Sequence, residues 1–185
     1  MYRLFVAIDL PGNIIASLLD ICYGLRGAKW TDETRMHLTL RFIGEVDGGV
    51  FRDVEEALAT VEFEPFELTV KGVGHFPPRG RPETLWAGIE KSDPLQGLRT
   101  RVESALKRAG LPGDGRKFAP HIQLARVKDT PPEHVAQYLN EFALFRLPSF
   151  PVTEFSLYSS FLSSVRALHQ VESTYQLVGK RNNGG

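Results

Sequence analysis

This chain of 185 residues has little sulfur and no excess of charge of either sign. Its single cysteine, Cys22, excludes an internal disulfide and any cysteine-rich metal site. The 22 basic and 22 acidic residues cancel, which argues against a protein that coats nucleic acid or an anionic membrane through its net charge. No apolar run approaches the roughly 20 residues needed to span a bilayer. We therefore expect a cytoplasmic protein that does not enter a membrane.

What the sequence does contain is one pattern that occurs twice. A strand pattern over 4–9 precedes a helical pattern from Pro11 to about Gly27, and a strand pattern over 85–90 precedes one from Pro94 to Gly110. Proline suits the first turn of a helix, because the N–H that it lacks has no partner there in any case. Each half then continues with a strand, an amphipathic helix (50–61 in the first half, 132–145 in the second) and a further strand, which predicts an internal duplication.

The strand that comes next in each half carries a histidine, His37 in HLTLRFIG and His121 in HIQLARV. The two histidines are 121 − 37 = 84 residues apart, and the later strands that begin at Phe66 and Phe150 are also 150 − 66 = 84 apart. One register therefore relates both pairs, so the two histidines occupy equivalent positions.

Several connections between the predicted strands are too short for a helical crossover, which favours antiparallel pairing. We expect an α+β fold of two pseudo-symmetric lobes from an internal duplication, with antiparallel sheets flanked by helices and an active-site cleft between the lobes. Residues 1–179 would form a single bilobal domain, with repeat units over about 1–76 and 83–178. Residues 180–185, KRNNGG, would form a disordered tail.

Alternation along a strand places His37, Thr39 and Arg41 on one face of the first histidine strand, and His121 and Gln123 on one face of the second. Two imidazoles across a cleft can divide acid–base work at neutral pH, one accepting a proton from a nucleophile and the other giving one to a leaving group. The hydroxyl or amide two residues on can donate to the oxygens of a phosphodiester. No carboxylate or cysteine lies at ligand spacing beside either histidine, so the pattern predicts chemistry without a metal or a cofactor.

Several longer segments resemble one known family: RLFVAIDLP, LRFIGEV, LWAGIE, FAPHIQLARV and FSLYSSFL. Together with HLTL and HIQL in register, they are similar to the two-histidine phosphoesterase superfamily, and within it to the RNA 2′,3′-cyclic phosphodiesterases, also called 2′-5′ RNA ligases. The resemblance extends to about Val178. It implies hydrolysis of a 2′,3′-cyclic phosphate at an RNA end to a 2′-phosphomonoester, with reversible 2′-5′ joining as a second activity.

The resemblance also implies a set of site residues. His37 and His121 are the expected catalytic pair, with His121 activating water and His37 protonating the departing 3′ oxygen, or the reverse. Thr39 and Arg126 match the family's phosphate-binding positions, and Gln123 stands where the family has Thr or Ser. Strict alternation turns Arg126 away from the cleft, so its role requires a bulge or a strand end near Ala125.

Other candidates have two interpretations each. Arg41, which alternation places beside His37, is either a phosphate ligand or part of a structural ion pair. Three aromatic residues are either base-stacking groups or core: Phe5, Trp30 and Phe118. Three histidines have no support from the repeat and are expected to be structural or exposed: His75, His134 and His169.

The expected partner is RNA with a 2′,3′-cyclic phosphate end, tRNA fragments among the candidates, and the expected state is a monomer. Two rival functions stay open: a non-catalytic RNA- or nucleotide-binding module, and a phosphodiesterase of small cyclic nucleotides or 2′-5′ oligoadenylates. The natural RNA, the importance of joining and any role for a nucleoside triphosphate also stay open.

Overall fold

A computed structural model describes residues 1–179, so the predicted tail over 180–185 lies outside the described residues. Within them the chain forms four helices and ten strands. The helices are α1 (Gly12–Leu19), α2 (Gly48–Leu58), α3 (Asp93–Arg108) and α4 (Pro132–Glu141). The strands are β1 (Tyr2–Asp9), β2 (Lys29–Trp30), β3 (His37–Val46), β4 (Phe66–Leu68), β5 (Val70–Phe76), β6 (Thr84–Ile89), β7 (His121–Arg126), β8 (Phe150–Val152), β9 (Glu154–Leu162) and β10 (Ala167–Gln176).

Two four-stranded sheets form the two lobes, and the described pairings are antiparallel as expected. The first has the order β10-β9-β1-β3 and the second has the order β2-β7-β6-β5, while β4 and β8 form a small ribbon of their own. β3 of the first sheet lies next to β7 of the second. The predicted α+β architecture with antiparallel sheets is therefore confirmed, and the two histidine strands lie beside each other where the two sheets meet.

The sheets do not coincide with the halves of the sequence. β9 and β10, from the second half, complete the sheet of β1 and β3, whereas β5 and β2, from the first half, complete the sheet of β6 and β7. Each repeat therefore gives strands to its partner's sheet. β5 and β9 reach the other sheet directly after β4 and β8, through single-residue connections at Thr69 and Thr153.

Packing between sheets and helices forms one main core. Strand residues that point away from the cleft, such as Leu38 and Ile122, are fully buried, and the helices cover them with Ile14, Leu58 and Leu98. Burial of apolar side chains contributes about 1.5–3 kcal/mol each, which is what fixes the orientation of the opposite, polar face.

Some boundaries differ from the sequence prediction. α1 ends at Leu19, although the pattern predicted a helix to about Gly27. Gly24 and Gly27 have positive φ angles of 82° and 85°, which a helix cannot contain, and a Cβ at Gly27 would lie 2.5 Å from the carbonyl oxygen of Asp129. The segment after α1 therefore turns to lie closely against the loop that follows β7. α4 also ends early, at Glu141 instead of Phe145.

No helix among residues 1–179 is both long enough and apolar enough to span a bilayer.

Candidate active site

Both histidine strands contain the same irregularity two to three residues after the histidine. In β3, Thr39 pairs with Ala7 and Arg41 with Val6, so Leu40 is an extra residue. In β7, Gln123 pairs with Trp86 and Ala125 with Leu85, so Leu124 is an extra residue. The two bulges are 124 − 40 = 84 residues apart, the same interval as the histidines. The duplication has therefore preserved the bulge as well as the strand.

The bulge in β7 supplies the geometry that Arg126 requires. An extra residue reverses the alternation beyond it, so Leu124 and Ala125 are both buried and Arg126 is exposed on the side of Gln123 and His121. Arg126 makes no ion pair within residues 1–179. Its guanidinium is free to bind a phosphate, which regular alternation would have prevented.

The same bulge in β3 removes Arg41 from the cleft face, where alternation had placed it. Its side chain is only 6 % exposed, and its Nη1 donates to both carboxylate oxygens of Glu103 on α3, with N···O distances of 2.9 and 3.0 Å. It also donates to the carbonyl oxygens of Pro112 and Phe42. The expectation that Arg41 shares the face of His37 is wrong, and the ion-pair interpretation describes its contacts.

Phe42 takes the place on the open face that Arg41 leaves. It is 61 % exposed, and its ring lies 5.9 Å from that of Phe5. It is also the counterpart of Arg126, since 126 − 42 = 84. Strict alternation would place Phe42 on the inner face with Leu38 and Leu40, and the bulge leaves no clear sign in the sequence.

The three aromatic residues proposed from the sequence as base-stacking groups pack against other side chains of the protein instead. Trp30 packs near Tyr138, and the ring of Phe118 lies 5.1 Å from the guanidinium carbon of Arg99. Phe5 is buried beneath His37, with the two rings 4.9 Å apart and nearly parallel at 23°. Phe42 is therefore the more open surface for a base.

His37 lies within a cluster of rings. Besides Phe5, its ring lies 5.6 Å from that of Tyr158 on β9 and 5.2 Å from that of His169 on β10. Ala7 is fully buried in the same cluster as Phe5 and Tyr158, and its small side chain leaves room for them. His169 was expected to be structural or exposed, and its proximity to His37 was missed because the sequence did not separate β10 from the preceding loop.

The surroundings of His37 disfavour its charged form. Burial, assisted by the positive charges of His169 and Arg35, lowers the pKa of His37 to about 4. Burial also lowers the pKa of His169, with a smaller contribution from Arg35. His37 is therefore neutral at pH 7 in the free protein.

Asp9 is the residue paired with His37 across β1 and β3, and its carboxylate accepts hydrogen bonds from Tyr158 and Ser156. Burial raises the pKa of Asp9, although the hydrogen bond from Ser156 acts in the opposite direction. The carboxylate anchors Tyr158, so it stabilises the ring cluster around His37.

His121 has a different environment. Its Nδ1 lies 2.8 Å from the carbonyl oxygen of Ala119, so this nitrogen carries a hydrogen and Nε2 is left for exchange with a substrate. The ring of Phe76 meets it edge-on at 4.8 Å. A hydrogen bond thus orients His121, whereas His37 has no protein hydrogen-bond partner for its ring within the described residues.

A cavity of about 930 Å³ lies elsewhere, between the end of α2, α3 and the end of β10. It is lined by Glu62, Glu64 and Arg101 and contains no histidine, so its charge does not suit a phosphate. Groups of three or more metal-ligating side chains are absent from residues 1–179. The chemistry points to the histidine cleft as the candidate site.

An α+β fold that presents one histidine from each repeat is suited to acid–base chemistry. The model of the 2′-5′ RNA ligase superfamily matches residues 25–160. The chain belongs to this superfamily.

Curated relatives extend over nearly the whole chain. An RNA 2′,3′-cyclic phosphodiesterase of Thermotoga maritima is 33% identical over 183 residues, which is 96% of each protein. One of Archaeoglobus fulgidus is 34% identical over 164 residues, which is 87% of this chain and 92% of the relative.

Solved structures show the same fold. A protein of Thermus thermophilus has a TM-score of 0.79 and 27% identity, covering 95% of this chain and 97% of its own. Escherichia coli LigT complexed with 3′-AMP has a TM-score of 0.78 and 26% identity, covering 96% of this chain and 99% of its own.

Proposed function

We propose that this protein hydrolyses the 2′,3′-cyclic phosphate at an RNA end to a 2′-phosphomonoester, with reversible 2′-5′ joining as a second activity. One observation carries the proposal: the repeat places a histidine, a hydrogen-bonding residue and a bulge at equivalent positions in two strands that approach each other. Relatives over nearly the full length are RNA 2′,3′-cyclic phosphodiesterases, which supports the same reaction here.

The reaction needs one proton acceptor and one proton donor. A water oxygen attacks phosphorus, the bond from phosphorus to the 3′ oxygen breaks, and the product has a 2′-phosphate and a 3′-hydroxyl. We assign His37 as the base that takes the proton of water, because it is neutral in the free protein. The role of acid then belongs to His121, whose Nε2 gives its proton to the departing 3′ oxygen. This assignment reverses the one favoured from the sequence.

Three other side chains would hold the phosphate. The hydroxyl of Thr39 and the amide of Gln123 each follow a histidine by two residues and can donate to the non-bridging oxygens. Arg126 supplies a positive charge and a fork of N–H donors. Arg41 has no part in this arrangement, because its guanidinium is already bound by Glu103 and by backbone carbonyls.

Phe42 would stack against the terminal base, since it is the exposed ring on the same face as His37. A stacked base tolerates different sequences, which suits RNA ends such as those of tRNA fragments. We further propose that the protein is a cytoplasmic monomer and that it acts without a metal.

The test is incubation of the purified protein, in the presence of EDTA, with a short RNA that ends in a 2′,3′-cyclic phosphate. Separation of 2′- from 3′-phosphate products should show only the 2′-phosphate, and the variants His37→Ala and His121→Ala should not form it. A 3′-phosphate product would overturn the direction of opening. RNA that binds but keeps its cyclic end would instead favour a binding module, and equal rates on mononucleotide and RNA would favour a small-nucleotide enzyme.

A further inference from the structure

His169 lies in the candidate site without any role in the proposed reaction. It is on β10, opposite Ser160 of β9, and its ring lies 5.2 Å from that of His37 at an angle of 58°. The ring of Phe5 meets it edge-on at 4.9 Å. His169 is therefore in direct packing contact with both the candidate base and the ring beneath that base.

The Nδ1 atom of His169 is buried and has no hydrogen-bond partner within the described residues. An unpaired buried nitrogen is destabilising, so its presence calls for a compensating contribution. A purely structural position would be better filled by an apolar ring of similar size. What an imidazole supplies there, and a phenyl ring does not, is a second titratable nitrogen beside His37.

Two imidazoles at this separation cannot both be charged without repulsion, so they titrate as a coupled pair. The charged and titratable groups around the pair come from four elements. They are Arg3 and Asp9 on β1, Arg35 before β3, Tyr158 on β9, and Arg166, which follows β9 and is paired with Asp32.

Those groups do not offset the repulsion. Asp9 is engaged by Tyr158 and Ser156, and Asp32 by Arg166 at 2.8 Å and by Thr34. Arg35 adds positive charge near both histidines. A proton on His169 therefore acts directly against a second proton on His37.

We propose that His169 is a positioning residue for His37: it holds the ring of this candidate base against Phe5 and opposes its protonation as the pH falls. This inference rests on the proposed function only in that it calls His37 the base. The coupling of the two rings is a property of the free protein and is measurable without a substrate.

The test separates ring packing from charge with two variants. His169→Phe keeps a ring against Phe5 and His37 but cannot bind a proton, whereas His169→Ala removes both. The titration of His37 is followed by NMR on protein labelled in its histidine rings, and kcat/KM is measured as a function of pH on a cyclic-phosphate RNA. His134→Phe, an exposed histidine at the start of α4, is the matched control.

In His169→Phe, we expect the His37 titration and the acidic limb of kcat/KM to move together to higher pH, by about half a unit or more, because a like charge has been removed. In His169→Ala, we expect an additional loss of about tenfold in kcat with little change in KM, because the ring of His37 is no longer held. The control should change neither.

A His37 titration that is unchanged in folded His169→Phe would overturn the inference. If that variant does not fold, His169→Gln provides the same electrostatic comparison. A wild-type protein without hydrolytic activity would contradict the proposed function, yet the NMR titration would still decide whether the two rings are coupled.

Discussion

The two histidine strands share a bulge at the same position and differ in their surroundings. His37 is enclosed by Phe5, Tyr158 and His169, whereas His121 is open and oriented by the carbonyl of Ala119. Both strands keep the bulge at the same place. Duplication thus conserved the path of the chain while the neighbouring side chains diverged, which is how two equivalent imidazoles can take opposite parts in one reaction.

The largest effect should come from removing either histidine. We expect His37→Ala and His121→Ala each to lower kcat by about 10²–10⁴-fold, and the double variant to lose little more, because the two act as a unit. Single-turnover assays on cyclic-phosphate RNA measure this, with His134→Ala as the control. A variant that keeps more than a tenth of the activity would show that its lobe supplies no proton transfer.

The next comparison is between Arg41 and its counterpart Ala125, both buried by the bulges. Arg41→Met leaves Glu103 with only the more distant guanidinium of Arg99, at 3.8 Å, as an ion-pair partner. We therefore expect a loss of about 2–4 kcal/mol in the free energy of unfolding, measured in urea. The kcat of the folded variant should stay within about twofold. Replacing both partners, with Arg41→Met and Glu103→Leu, should restore part of the stability. If Arg41→Met had normal stability but bound phosphate more weakly, Arg41 would be a phosphate ligand and not a structural residue.

Phe42 and Arg126 are the third pair. Phe42→Ala should weaken binding of the substrate by about 1–3 kcal/mol, since stacking on a base is lost, and should leave kcat nearly unchanged. Phe42→Tyr should preserve binding. Phe161→Ala removes another exposed ring, on β9, and serves as the control. Equal affinity in Phe42→Ala and the wild type, measured by titration with an RNA 2′-phosphate, would exclude stacking at this position.

The smallest effect concerns Thr39 and Gln123. Gln123→Thr makes the two strands alike and should raise kcat/KM by less than about tenfold, because a shorter donor reaches the phosphate with less crowding. Thr39→Gln should lower it by a similar factor. A fall in activity of Gln123→Thr would mean that the longer amide makes a contact of its own.

The strands, helices and equivalence of the two histidines could be predicted because periodicity and the 84-residue interval are properties of the sequence itself. The bulges at Leu40 and Leu124 could not, since both leucines fit an uninterrupted strand. Their effect was large, because the bulge at Leu40 buries Arg41 and exposes Phe42, the reverse of what strict alternation predicts. The need for a bulge was visible at Ala125 because Arg126 otherwise pointed inward, and the same reasoning applied to the first repeat would have found Phe42.

His169 was beyond prediction for another reason. Its contact with His37 joins residues 132 positions apart (169 − 37) and depends on β10 crossing to the sheet of the other repeat. Local pattern carries no information on such an exchange. The end of α1 was mispredicted for the same reason, because the segment after it is shaped by a tertiary contact, the close approach of Gly27 to Asp129.

The exchange of strands has a consequence for how the molecule can be divided. A chain cut between β5 and β6 would yield two fragments, and neither could complete a four-stranded sheet, because each fragment holds strands that belong to the other's sheet. Folding of either fragment would therefore require the other, and activity would return only on mixing. A gene split at that point would behave as a complementation pair, and the simplest ancestor able to close both sheets would have been a dimer of single repeats.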